Sequence, residues 1–152
     1  MADPTFAREG NIRFAGISSP GYPDDPWALE REVVRLLAGQ EVEAYGPATL
    51  IFNVAPSDLP ASGWECQVGT TITGLGRSMG RMSVEDYRGL HAWTIAHSGP
   101  IKDLTSTWRR LADHATGKGQ RLRPYWRLAL RDRRLADGNL LPSADVSVFI
   151  DT

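Results

Sequence analysis

The sequence predicts an α+β fold: a duplicated strand–helix–strand–strand module that builds a curved antiparallel sheet, with two helices on one side and a ligand cleft on the other. Three observations predict it. Strand-like alternation and two amphipathic helical stripes recur in the same order in each half of the chain. The turns that lead into the helices are alike, Ser19-Pro20-Gly21 in the first half and Ser98-Gly99-Pro100 in the second. Neither half can bury its own sheet with a single helix, so the halves must pair about a pseudo-twofold axis.

Residues 1–10 read as a flexible tail, followed by one domain, 11–152, made of repeats at about 11–76 and 77–152. Residues 11–18, NIRFAGIS, alternate loosely and predict a strand. SPGYPDDP is a turn cluster that ends in a helix start, with Asp25 as cap and Pro26 at the first helical position. Leu29, Val33, Leu36 and Leu37 then form one apolar stripe, which Gly39 stops. ATLIFNVAP (48–56) and WECQVGTTITG (64–74) predict two more strands. After the glycine-rich link GLGRSMGR, the segment 84–98 predicts a strand, clearest from Leu90 onward. Asp103 can cap a second helix, whose stripe is Leu104, Trp108, Leu111, Ala112 and Ala115. PYWRLALRD (124–132) and DVSVFID (145–151) predict the last strands, with RRLADGNLLPSA as the loop between them.

Composition narrows the function classes. The chain has 152 residues, 41% hydrophobic and 23% charged, which is ordinary globular usage. No apolar run approaches the roughly 20 residues that span a bilayer, and the N-terminus shows no signal-peptide core. The lone Cys66 suits a reducing cytoplasm and excludes an all-cysteine zinc cage. Net charge is −1, but the two halves carry −6 and +5. The basic excess lies in 109–134, a surface for an acidic protein partner or simply a solvated face. Nucleic acid is not the expected partner. No His/Asp/Glu spacing resembles a metal site, and no Gly-x-Gly-x-x-Gly opens a helix, so no metal or cofactor is expected.

Alternation sends every second residue to the same side of a strand. In 64–73, Trp64, Cys66, Val68 and Ile72 face the helices, while Glu65, Gln67, Gly69 and Thr71 face the cleft. In 124–131, Trp126, Leu128 and Leu130 are core, while Tyr125, Arg127 and Ala129 line the cleft. Both faces of 90–97 are mixed, and the set His91, Trp93, Ile95 and His97 is assigned to the cleft. Ser147 and Phe149 join it from the last strand, with Ile51 and Asn53. The cleft is thus aromatic with a few polar groups, the usual make-up of a ligand pocket. Trp93, Arg127, Phe149, Gln67, Ile51 and Asn53 are the candidate ligand-binding residues. Glu65 is the candidate base that would direct water, with Tyr125 or His91 as proton donor. The competing reading of Glu65 is an exposed strand carboxylate or an ion pair with Arg127. Cys66 falls on the core face as an inert thiol.

The Ser98-Gly99-Pro100 turn before a Trp/Leu helix, the PYWRLALRD strand, the acidic-apolar final strand and WECQVG together resemble the GyrI-like small-molecule-binding domain. That domain is the effector-binding part of many AraC-type and MerR-type regulators and also occurs alone. The resemblance spans about residues 11–151, and without a helix-turn-helix segment the stand-alone form is expected. Family members that bind cationic, lipophilic drugs carry an acid where this chain has Arg127. An arginine there favours an anionic, carbonyl-rich or planar ligand. The resemblance implies three functions. The first is sequestration of a planar, lipophilic antibiotic or natural product, giving self-resistance. The second is hydrolysis of an electrophilic, cyclopropanoid-type DNA alkylator through Glu65. The third is inhibition of a protein such as gyrase.

Overall fold

Six strands and two helices follow one another as β1 Thr5–Ser19, α1 Pro26–Leu37, β2 Glu43–Phe52, β3 Cys66–Thr73, β4 Met82–Pro100, α2 Leu104–Gly117, β5 Arg121–Leu130 and β6 Leu140–Asp151. The computed structural model describes residues 3–131 and 140–151, so Arg133 and Arg134 of the basic stretch lie outside the described residues. Strand–helix–strand–strand occurs twice, and every strand pairing is antiparallel. The order β1-β3-β2-β5-β6-β4 returns to β1, which closes the curved sheet into a barrel. The modules meet where β2 lies beside β5, from Thr49 opposite Ala129 to Phe52 opposite Trp126.

The flexible tail expected over residues 1–10 is corrected from Thr5 onward. Thr5, Phe6, Ala7 and Arg8 pair with Thr94, Trp93, Ala92 and His91 of β4. Little in MADPTFAREG marks a strand, because the partner that orders it lies more than eighty residues away. The last strand likewise starts at Leu140 instead of 145, inside the stretch read as a loop.

Both helices form for the reasons the sequence supplies. The Asp25 side chain accepts from the Ala28 amide at 3.1 Å and Pro26 starts α1. Val33 and Leu37 are buried against Ala15, Ile17 and Ile72, with Leu29 and Leu36 beside them. In α2, Leu104, Leu111 and Ala115 are fully buried. Asp103 precedes α2 but makes no side-chain capping hydrogen bond; a single 3₁₀ turn over Ile101–Asp103 leads into the helix instead.

The outer face of the barrel carries both helices. Its centre is aromatic: Phe52 stacks on Trp126 at 4.2 Å, Trp64 meets Trp126 edge-on at 6.2 Å, and the Trp126 indole donates to the Val54 carbonyl at 2.8 Å. Trp64, Cys66, Val68, Leu128, Val146 and Val148 belong to the same buried cluster, as alternation predicts. At Gly69 the strands approach so closely that a Cβ would lie 1.8 Å from the Ala15 carbonyl oxygen.

One face assignment is overturned. Trp93, His91, Ile95 and His97 lie on the outer face, not in the cleft. The Trp93 ring packs at 4.4 Å against His114 of α2 and at 5.1 Å against Phe6, and its indole donates to Gln120 Oε1 at 2.8 Å. His97 shares 2.8 Å and 3.3 Å contacts with Thr107 Oγ1 and the Pro100 carbonyl. The reason is that α2 and the turns at its ends bring polar partners to this face. His97 and the Trp93 indole are satisfied there, while small Ala92 faces inward where space is short.

Trp93 is therefore a structural residue. Trp93→Ala is expected to destabilise the chain by about 2–4 kcal/mol, near the lower range for truncating a buried aromatic, measured by urea unfolding. His97 gives a pH dependence. Burial lowers its pKa below the ordinary 6.5, outweighing the Pro100 hydrogen bond and the Asp103 charge. The unfolded chain then binds more protons than the folded one below that value, so stability falls as pH drops from about 7 through 6.5 toward the lower folded pKa. Unfolding curves at pH 5.5 and 7.5 should show this loss in the wild type, and His97→Gln should reduce it.

Candidate functional site

Inside the barrel the inward residues of five strands meet. Phe14, Ile51, Tyr87, Leu90, Ala92 and Phe149 form a buried cluster, with Ile12 and Tyr125 packed against it. Tyr125 touches Tyr87 edge-on at 4.9 Å and Phe149 at 5.4 Å. Burial and the neighbouring Glu85 carboxylate, which accepts the Tyr87 hydroxyl at 3.0 Å, hold that phenol above the usual tyrosine range.

Arg127 enters this apolar space from β5. Its two terminal nitrogens donate to both carboxylate oxygens of Glu9, at 2.6 and 2.7 Å. The guanidinium lies 5.1 Å from the Phe149 ring centre and also donates to Ser147 Oγ at 3.0 Å, which shares a 2.7 Å hydrogen bond with Thr94 Oγ1. Both members of the pair are about four-fifths shielded from solvent, with side-chain exposures of 18% and 21%. A bidentate pair is the geometry that makes an enclosed guanidinium tolerable. Arg127 Nε remains buried without a partner, as does Oε1 of Gln67 on β3.

The interior is nearly full. The space left in it is about 10 Å³, about what the centre of one water molecule occupies. A larger cavity of about 190 Å³ lies at one end of the barrel on the α2 side, where β2 and β5 part beyond Phe52 and Trp126. Asn53, Trp108, Arg123, Tyr125 and Trp126 line it. Tyr125 thus borders both this end cavity and the inner cluster. Outside the barrel, an open groove of about 700 Å³ runs between the loops at 22–24, 57–64 and 100–102.

The candidate residues divide accordingly. Tyr125, Arg127, Phe149 and Ile51 meet inside the barrel, and Asn53 lines the end cavity beside Tyr125. Gln67 points inward from β3. Trp93 and His91 are on the outer face, separated from the others by the sheet. Glu65 is exposed just before β3 and belongs to none of these three linings. The ion pair weighed between Glu65 and Arg127 does not form, because Glu9 occupies the guanidinium. Cys66 is buried, and burial pushes its thiol up to about 12, which keeps it inert at neutral pH. Among the described residues of the basic stretch, Arg109, Arg123, Arg127 and Arg131 pair with Asp58, Asp151, Glu9 and Asp145. Sequence reasoning missed Glu9, for which no local signal exists, and Phe14, which alternation with Ile12 in NIRFAGIS marks as sharing its face.

No family model matches the sequence, and no curated protein matches it. Solved structures do. The chain superposes on EcmrR in its DNA complex with a TM-score of 0.72 at 12% identity, covering 98% of this chain and 57% of that one. The chain thus spans little more than half of that longer protein. The EcmrR C-terminal domain alone gives 0.69 at 10% identity, with 98% and 97% covered. A hydrolase from Listeria innocua gives 0.68 at 11% identity, with 98% and 92% covered. With its duplicated module, its curved six-stranded sheet and these neighbours, the chain has the fold of the GyrI-like effector-binding domains.

Proposed function

We propose that this chain binds a planar, lipophilic small molecule in the barrel interior, admitted through the end cavity beside Tyr125, and withholds it from other targets in the manner of a sequestering resistance protein. The observation that carries this reading is the inner lining itself: Phe14, Ile51, Tyr87, Tyr125 and Phe149 converge around a single guanidinium, with unpartnered polar atoms on Arg127 and Gln67. An apolar, aromatic enclosure with few polar groups is what ligand pockets offer. The fold of an effector-binding domain supports the same reading. So little free space remains that the ligand must displace side chains, which makes the Glu9–Arg127 contact the natural gate.

The hydrolytic alternative has the resemblance to the Listeria innocua hydrolase fold in its favour. It needs a free carboxylate beside the ligand. Glu9, the acid in the inner space, is bound to Arg127, and Glu65 lies outside the lining. Geometry therefore favours binding. An inhibitory protein contact through the 109–134 segment is weakened by the internal ion pairs of its arginines.

Incubation with a panel of planar antibiotics, read by tryptophan fluorescence and mass spectrometry, tests the proposal. Trp108 and Trp126 line the end cavity, so a ligand should change their emission without any product of mass plus water. Tyr125→Leu should weaken binding about 2–10-fold, the worth of one aromatic contact, with the melting temperature almost unchanged. Glu65→Gln should leave affinity as it is. A hydrated product that appears with the wild type and vanishes in Glu65→Gln would replace sequestration by hydrolysis.

A further inference from the structure

We infer that Glu9 is an internal competitor: the ligand this barrel takes is a planar carboxylate, whose carboxylate replaces that of Glu9 on Arg127 while the N-terminal arm of β1 detaches. The inference rests on the reading that the interior is the binding site.

The contact has the form of a bound ligand. Two carboxylate oxygens meet two guanidinium nitrogens at 2.6 and 2.7 Å, over the face of Phe149. Any planar acid entering beside Tyr125 would find the same fork-shaped donor pair and the same aromatic floor. A cation would instead meet Arg127 once Glu9 has moved away, and a neutral molecule would leave the guanidinium unpaired. Charge selects the carboxylate.

The segment carrying Glu9 is held along one edge only. β3 pairs with β1 only from Arg13 onward, so residues 5–12 are hydrogen-bonded along one edge, by β4 alone. That remaining ladder is itself interrupted: the register shifts between Arg8 and Gly10 and again between Gly10 and Ile12, and Glu9 has no strand partner. Gly10 takes φ +70° and Gly89 on the facing strand φ +63°, conformations open to glycine. Glu9 thus sits at a break in the pairing. Its withdrawal opens only the Thr5–Gly10 end of the β1–β4 seam between the modules and leaves the β2–β5 seam, the β1–β3 ladder and the β1–β4 pairs from Ile12 to Ile17 in place.

Three isosteric probes test this on the full chain by isothermal titration: 2-naphthoate, 2-naphthamide and 2-naphthylmethylammonium. The wild type should prefer the carboxylate. Glu9→Gln, which removes the competitor, should tighten 2-naphthoate roughly tenfold or more and change 2-naphthamide less than about twofold. Arg127→Gln alone would strand Glu9, so the double variant Glu9→Gln/Arg127→Gln serves as control; it should bind 2-naphthamide and lose the carboxylate preference. Hydrogen exchange should show the amides of residues 5–11 losing protection when 2-naphthoate binds the wild type. The inference is overturned if 2-naphthamide binds while 2-naphthoate is no tighter in wild type and Glu9→Gln, or if the arm stays protected in the complex; the interior site then stands with another ligand class. If none of the three probes binds any variant, the interior site itself fails, and the inference with it.

Discussion

β1 is hydrogen-bonded along both edges, to β3 through Arg13–Ser19 and to β4 from Thr5 to Ile17. This double pairing closes the sheet from Arg13 to Ile17 and gives it an inner face cut off from bulk water, while residues 5–12 keep one unpaired edge. Polar groups on that face depend on partners supplied by the fold. The inner aromatics need none. The terminal nitrogens of Arg127 find theirs because the same strand that closes the barrel also delivers Glu9 to them. Closure and charge compensation are thus two results of one pairing.

The outer face obeys a different rule. It is covered by helices, whose side chains and capping turns supply hydrogen-bond partners. Several polar rings find partners there, Trp93 in Gln120, His97 in Thr107 and the Pro100 carbonyl, and Trp126 in the Val54 carbonyl, whereas Trp27 Nε1, Trp64 Nε1 and His114 Nε2 find none among the described residues. The three-ring cluster of Phe52, Trp64 and Trp126 sits beside the β2–β5 seam, where the two modules join on the outer face. Just beyond it β2 and β5 separate around the cavity that Tyr125 borders.

The resemblance stated from PYWRLALRD led to an acid-for-arginine exchange at Arg127. Inside the barrel Arg127 is not left alone, since Glu9 from another strand places a carboxylate on it.

Sequence alone determined the two helices, the order of the elements, and the facing of β3, β5 and the end of β6, because each rests on local periodicity, capping residues and turn chemistry. Arg127, Tyr125, Phe149 and Ile51 were legible as one cleft for the same reason. Tertiary structure decided the rest. Residues 5–10 are strand only because β4 is there to pair with them, and a short polar segment carries no periodic trace of such a partner. The mixed faces of 90–97 were settled by α2, whose polar side chains made the Trp93 face the better-satisfied one outside. Glu9 meets Arg127 only after the barrel closes, since the two lie more than a hundred residues apart, and no pattern within either segment records a contact made by the fold itself.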